Sequence, residues 1–264
     1  VLPEAAVKGR AGRPPLWSYW VVLPSFVLLW GLIAWLLQSP LLPTPLNVLD
    51  TLIRESATGE LWHHLGATLG RVVVAFILAM IIGTAIGIVM GRSPTTNALF
   101  DPLLVLLLNL PALVTIILMY VWFGLVEVAA VMAVVINKVP NVAVTVREGA
   151  RSLDYRLEEM ATVYEFTRWQ RLREVWVPQL FPYLMAATRG GLALIWKIVL
   201  VVELLGRSSG VGFQLHMAFQ VFDVAAILAY SLAFIAVVQL IELAILQPLE
   251  RRSSRWRQPE AAHA

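Results

Sequence analysis

Residues 72–91 read Val-Val-Val-Ala-Phe-Ile-Leu-Ala-Met-Ile-Ile-Gly-Thr-Ala-Ile-Gly-Ile-Val-Met-Gly, without one ionisable side chain. A helix needs about 20 such residues to cross the hydrocarbon core of a bilayer. In that core only helices and closed barrels satisfy every backbone amide, and the strict alternation of a barrel strand is absent here. The stretch is therefore a membrane helix. Counting outward in both directions, apolar runs near 17–38, 63–91, 98–122, 126–148, 179–205 and 224–248 predict six spans and an all-α membrane protein.

Composition agrees. Of 264 residues 59% are hydrophobic and 14% charged, and the mean hydropathy is +0.77, more apolar than a water-soluble domain of this size can solvate. The absence of cysteine excludes thiol catalysis, thiolate metal sites and a disulfide framework. Of the four histidines, none falls in a His-Glu-x-x-His pattern, and the His63-His64 pair reads as interfacial. The run Leu16–Leu37 follows Lys8, Arg10 and Arg13, exceeds a signal-peptide core and precedes no small-residue cleavage site, so it reads as an uncleaved first span.

The net charge of +3 argues for topology, not for nucleic acid. Basic residues gather in both tails (Arg251, Arg252, Arg255 and Arg257 at the second), at Arg92, and at Arg151, Arg156, Arg168, Arg171 and Arg173 after the fourth span. The opposite loops hold only Arg54 and Arg207. The positive-inside rule makes the basic side the cytoplasm and leaves both termini there. The chain divides into a tail, 1–16, a first helix with its external connection, 17–62, a core, 63–250, and a tail, 251–264.

Smaller signals refine this outline. Three prolines in Ser39–Pro45 predict an extended external connection, followed by an amphipathic segment near Leu46–Ser56. Gly83, Gly87 and Gly91 recur every four residues and predict close helix packing. Asn109-Leu110-Pro111 interrupts the third span. Pro111 frees a carbonyl, so a kink or break is expected where it faces protein or a solute path, with Asn109 and Thr115 beside it.

Two lysines stand within spans, where an isolated charge costs about 2.5–3.5 kcal/mol on insertion scales. Lys138 shares a helix face with Asn137, Asn141 and Thr145, and Lys197 adjoins Trp196, with Arg189 nearer the cytoplasmic end. If both lysines face a dimer axis they line a positive, amide-rich path suited to an anion. The alternative is that Glu203 or Glu127 neutralises them, or that they snorkel to an interface.

The segment between the fourth and fifth spans, 154–178, is too charged to cross. Its Leu157, Ala161, Tyr164 and Trp169 give an apolar face, which predicts a short helix, a turn and a second helix leading to Pro178, docked on something. This stretch resembles the permeases of binding-protein-dependent ATP-binding-cassette (ABC) importers. Their coupling motif runs Glu-Ala-Ala, three residues, Gly, nine residues, Ile-x-Leu-Pro. Here Glu159-Met160-Ala161 opens the motif, Glu165 takes the glycine position and Val175-Trp176-Val177-Pro178 closes it with every spacing kept. Trp122-Phe123-Gly124 and the stretch Glu203–Phe213 also resemble the family, and with Thr167-Arg168-Trp169-Gln170 they look most like its nitrate, sulfonate, taurine and bicarbonate branch.

The resemblance implies a type I importer permease fold, with the last four or five spans around a two-fold axis. It also implies a second permease subunit, an extracytoplasmic solute-binding protein, and separate ATPase subunits that bind ATP and Mg. It places Glu159, Met160, Ala161, Glu165, Phe166, Arg168, Arg173 and Pro178 at the ATPase contact. No Gly-x-x-x-x-Gly-Lys-Ser/Thr loop occurs, so no cofactor is expected in this chain and hydrolysis must come from elsewhere. Glu165 departs from the pattern: a turn needing a positive φ is strained without glycine, so a remodelled turn is expected there. A secondary transporter driven by an ion gradient is the rival class, with Glu203 and Glu242 as its only candidate coupling acids and no clear internal repeat.

Overall fold

In the computed structural model residues 16–248 are described, and they are helical throughout, joined by short turns. The expected tails, apart from Leu16, lie outside the described residues. Among the described residues four helices are long and apolar enough to cross a bilayer unaided: Glu60–Arg92, Glu127–Arg151, Arg168–Gly206 and Val224–Ala244. They match the expected second, fourth, fifth and sixth spans.

The third span is not one helix. α4 (Pro94–Asn109) and α5 (Ala112–Phe123) meet at 97°, so the expected kink is a full break. Proline disfavours a helical residue before it. Leu110 is accordingly extended (φ −71°, ψ 122°), and Asn109 turns its amide back to the Val105 carbonyl at 2.8 Å. The first expected span is α1 (Leu16–Leu37), of which Pro24–Leu37 is a shorter apolar helix, and the count of six therefore rests on α1.

After α1 the chain enters α2 (Pro45–Thr58), the expected amphipathic segment. Thr44 caps it, accepting from the Asn47 amide, and Gly59 ends it at φ 88°. Val48 and Thr51 are buried, and α2 lies against α11 (Val224–Ile241), where Tyr230 donates to Glu55 at 3.1 Å.

The core is α3 (Glu60–Arg92) laid on α6 (Glu127–Arg151), with α9 (Val177–Gly206) against α6. The glycine stripe explains the first contact. A Cβ on Gly83 would meet Val142 at 2.6 Å, on Gly87 the Ala143 carbonyl at 2.7 Å, and on Gly91 Ala150 at 2.5 Å. Only bare backbone lets these helices approach so closely.

Ion pairs fix which helix ends share a side. Arg92 reaches Glu158 and Arg147 reaches Asp101, joining the ends of α3 and α6, the first half of α4 and the segment that follows α6. At the far end Arg207 binds Glu127 and the Leu125 carbonyl. The two groups of loops separated in the sequence by their basic content are thus separated in space.

Candidate functional site

The segment after α6 folds as its pattern suggests. Asp154 caps α7 (Tyr155–Val163) by accepting from the Arg156 amide at 2.8 Å, while its own amide donates to Gln179 Oε1 at 2.8 Å. Thr167 then opens α8 (Arg168–Gln170) with a reciprocal capping box: the Gln170 amide donates to Thr167 Oγ1, and Gln170 Oε1 accepts from the Thr167 amide. A wide π-turn, Arg171–Trp176, carries the chain into α9, and Pro178, with no amide proton to give, stands in the first turn of that helix.

The turn at Glu165 is retained, not remodelled. The Phe166 amide donates to Ala161 O at 2.8 Å and the Glu165 amide to Thr162 O at 3.1 Å. These are the two bonds of a Schellman stop, whose pivot is left-handed. Glu165 occupies that pivot at φ 53°. A non-glycine residue there costs about 1–2 kcal/mol. Glu165→Gly is therefore expected to stabilise the segment by about 1 kcal/mol, read as a higher Tm of the purified protein; an unchanged or lower Tm would show that Glu165 makes a compensating contact.

One carboxylate ties this segment to the bundle. Glu158 Oε2 accepts from Arg92 at 2.5 Å and Oε1 from the Trp176 indole N–H at 2.7 Å, while the Arg92 guanidinium lies over the Trp176 ring at 5.1 Å. Partial burial pushes the Glu158 pKa up, but the Arg92 and Trp176 hydrogen bonds outweigh it and hold the group below its usual value. A depressed carboxylate contributes stability above its unfolded pKa and loses it only as pH falls through the folded one. The clamp is thus fully formed at neutral pH, and it joins α7 to the end of α3 and the root of α9. Glu158→Gln is expected to weaken the hold of α7 on the bundle by about 1 kcal/mol. The check is limited proteolysis of residues 154–178 in the purified protein, with faster cleavage expected; an unchanged rate would show the clamp to be passive.

Ala161 is fully buried and Glu158 half-buried in its clamp, while the rest of α7 faces outward: Tyr155 is 71% exposed and Val163 78%, with Tyr164, just after the helix, at 71% and Trp169, on α8, at 67%. Glu159, Met160, Glu165, Arg168, Arg173 and Pro178 are also exposed and Phe166 is half-buried. Of the expected apolar face, Leu157, Tyr164 and Trp169 are left uncovered by the chain's own fold, at one end of the bundle, whereas Ala161 turns inward and is not available to a partner as the sequence suggested.

The far end holds a polar cluster that the sequence does not announce. Arg71, in α3, donates from Nη1 to Glu203 at 2.6 Å and to the Ser209 carbonyl at 2.7 Å. From Nε it reaches Glu127 at 2.5 Å, and from Nη2 Ser209 Oγ at 2.8 Å. The second oxygen of Glu203 accepts from Thr68 and from the Gly212 amide, each at 2.9 Å. The Val211 amide donates to Thr68 Oγ1, and the Gly210 amide to His64 Nδ1 at 3.0 Å. A neutral imidazole that accepts at Nδ1 is protonated at Nε2, which faces Glu60 at 3.3 Å.

The loop after α9 is shaped for this cluster. Gly210 has φ 111°, and a Cβ there would stand 2.3 Å from Glu203 Cδ. On Gly212 a Cβ would stand 2.2 Å from the Leu200 carbonyl, so α10 (Val211–Gln220) packs directly on α9. The sequence signal that was missed is Arg71 itself, a cation within the expected second span. Glu127 and Glu203, read as partners for the lysines, are engaged by Arg71 and Arg207 instead.

The expected path residues do not form one constellation. Asn137, Asn141 and Thr145 are half-buried along one line of α6, each donating to the carbonyl four residues back. Lys138 is buried against Gly191 of α9, whereas Lys197 is exposed on another face of that helix. Thr115 is buried and Asn109 exposed.

An all-helical bundle with a broken third span and a protruding segment between its fourth and fifth spans is the architecture of a transmembrane permease subunit. Residues 79–247 match the family described as binding-protein-dependent transport system inner membrane component, and the chain belongs to that family. It is similar to the putative aliphatic sulfonates transport permease protein SsuC of Bacillus subtilis (strain 168), at 31% identity over 96% of this chain and 92% of that protein. It is also similar to the taurine transport system permease protein TauC of Escherichia coli (strain K12), at 31% identity over 89% of this chain and 87% of that one.

Among solved structures, an amino acid ABC transporter with histidines gives a TM-score of 0.59 at 20% identity, over 77% of this chain and 97% of that one. The inward-facing MetNI methionine ABC transporter gives 0.62 at 16%, over 74% and 98%. Both support the importer permease fold, and the family places the chain in the inner membrane as a multi-pass protein.

Proposed function

We propose that two copies of this chain form the channel of an ABC importer for a small oxyanion such as nitrate, bicarbonate, taurine or another sulfonate. The observation that carries this is the uncovered apolar surface of α7 and α8, on a coupling motif that keeps every spacing. It is a socket for a separate ATPase, which would bind ATP and Mg, and an extracytoplasmic binding protein would deliver solute to the far end. The end bearing Arg92, Arg151 and the coupling segment is then cytoplasmic, with both termini on that side.

The mechanism follows from the connections. ATP binds one state of the complex better than the other and so shifts the population. Closure of the ATPase subunits would carry α7 with it, and the Glu158 clamp would pass that displacement to α3 and α9 together. The Arg71 cluster pins the same helices at the far end, so they move as levers about a fixed anchor.

The solute class is supported by the sulfonate and taurine permeases among the relatives. Its test is uptake of labelled taurine, nitrate and bicarbonate into proteoliposomes carrying the permease, its ATPase and its binding protein. ATP-dependent uptake of one anion is expected, with none under an ion gradient alone. Gradient-driven uptake without the ATPase would favour the secondary transporter.

A further inference from the structure

The Arg71 cluster occupies both acids once available to the lysines, and it leaves Lys138 without a counter-charge. Lys138 stands near mid-length in α6 and is 4% exposed. Among the described residues, no carboxylate lies within ion-pair distance of its ammonium, and Glu203 and Glu127 are committed to arginines. Its tail lies on Gly191 of α9: a Cβ there would be 2.6 Å from Lys138 Cε and 3.1 Å from Nζ.

A second polar group nearby is also unmatched. Thr115 of α5 is 3% exposed and its Oγ1 has no hydrogen-bond partner. α5 and α6 are joined by residues 124–126, so stepping back about 1.5 Å per residue from that turn puts Thr115 level with residue 135. Lys138 is about one turn deeper in α6, and helical side chains lean toward the N-terminus, which brings its ammonium toward the level of Thr115.

Burying an ammonium costs several kcal/mol unless a counter-charge and further hydrogen bonds compensate. Among the described residues the chain supplies neither, yet it offers three ammonium donors, a free hydroxyl and, at Gly191, the room that lets the lysine tail lie against α9. We propose that Lys138, lying against Gly191, forms with Thr115 an oxyanion-binding site inside each protomer that holds the solute's charged group in transit. This rests on the anion-importer reading above. Lys197, on the other face of α9, takes no part in it.

The test uses the permease–ATPase complex in lipid nanodiscs without binding protein, and measures binding of ethanesulfonate, nitrate and bicarbonate by calorimetry. Ethanesulfonamide serves as the uncharged control. The native complex is expected to bind at least one anion and not the sulfonamide, and Lys138→Met to weaken that binding tenfold or more while the complex still assembles. Gly191→Ala displaces only the flexible end of the lysine, so it folds, keeps the charge and is expected to weaken binding several-fold.

Native affinity in both variants would overturn the site while leaving the importer reading standing. An equal loss in Arg54→Gln, a charge change on the exposed face of α2, would reduce the effect to general electrostatics and also overturn it. A native complex that binds none of the three anions would overturn the site and the anion reading together.

Discussion

Arg71→Met is expected to cost the folded protein about 3–5 kcal/mol, because it strands Glu203, a carboxylate with no solvent exposure, among apolar helices. Arg71 is itself buried and joins α3 to the start of α6, the end of α9 and the Ser209 loop through five hydrogen bonds, two to each glutamate or serine partner apart from Glu203. Thermal unfolding in detergent is the measurement, with a large fall in Tm expected. Adding Glu203→Gln should recover part of the loss, since a neutral amide still accepts from Thr68 and the Gly212 amide. A single variant as stable as the native chain would show that the cluster does not hold the bundle together.

Val163→Asp combined with Tyr164→Asp is expected to abolish co-purification with the ATPase while leaving the permease folded. Both side chains are more than two-thirds exposed, so the substitutions leave no cavity and bury no charge within the chain. At a protein interface the same pair would desolvate two carboxylates. Central apolar and aromatic anchors are each worth 2 kcal/mol or more, about thirty-fold in affinity, so the pair loses roughly a thousand-fold if additive. Retained co-purification would place the ATPase contact elsewhere on the molecule.

What the sequence disclosed, it disclosed through local chemistry. Hydropathy located the spans, proline the break at Leu110, the small-residue period the contact of α3 with α6, and motif spacing the coupling segment. Each depends on neighbours in the chain. The angle of the break was not legible, since Pro111 forbids a straight helix without setting the direction in which α5 leaves. The turn at Glu165 was expected to change because its residue does not favour φ 53°; the two amide bonds of the Schellman stop hold the backbone there regardless.

The polar groups in the membrane were the least legible. Lys138, Glu127 and Glu203 were visible as charges, but their pairing joins residues 56 and 132 positions apart, which no local pattern encodes. Arg71 decides that pairing by taking both acids, and Lys138 is left over as a consequence. The same holds for Lys138 and Lys197, whose separation on different faces of the bundle follows from how α6 and α9 pack, not from either helix alone.

The most direct test of the central claim is ATPase activity in lipid nanodiscs of this chain co-expressed with its cognate ATPase, alone and with the binding protein and its anion. The account predicts that the chain by itself hydrolyses no ATP, that the complex is stimulated by the loaded binding protein, and that stimulation disappears with the Val163→Asp and Tyr164→Asp pair. A chain that purifies without an ATPase and moves solute on an ion gradient would contradict it.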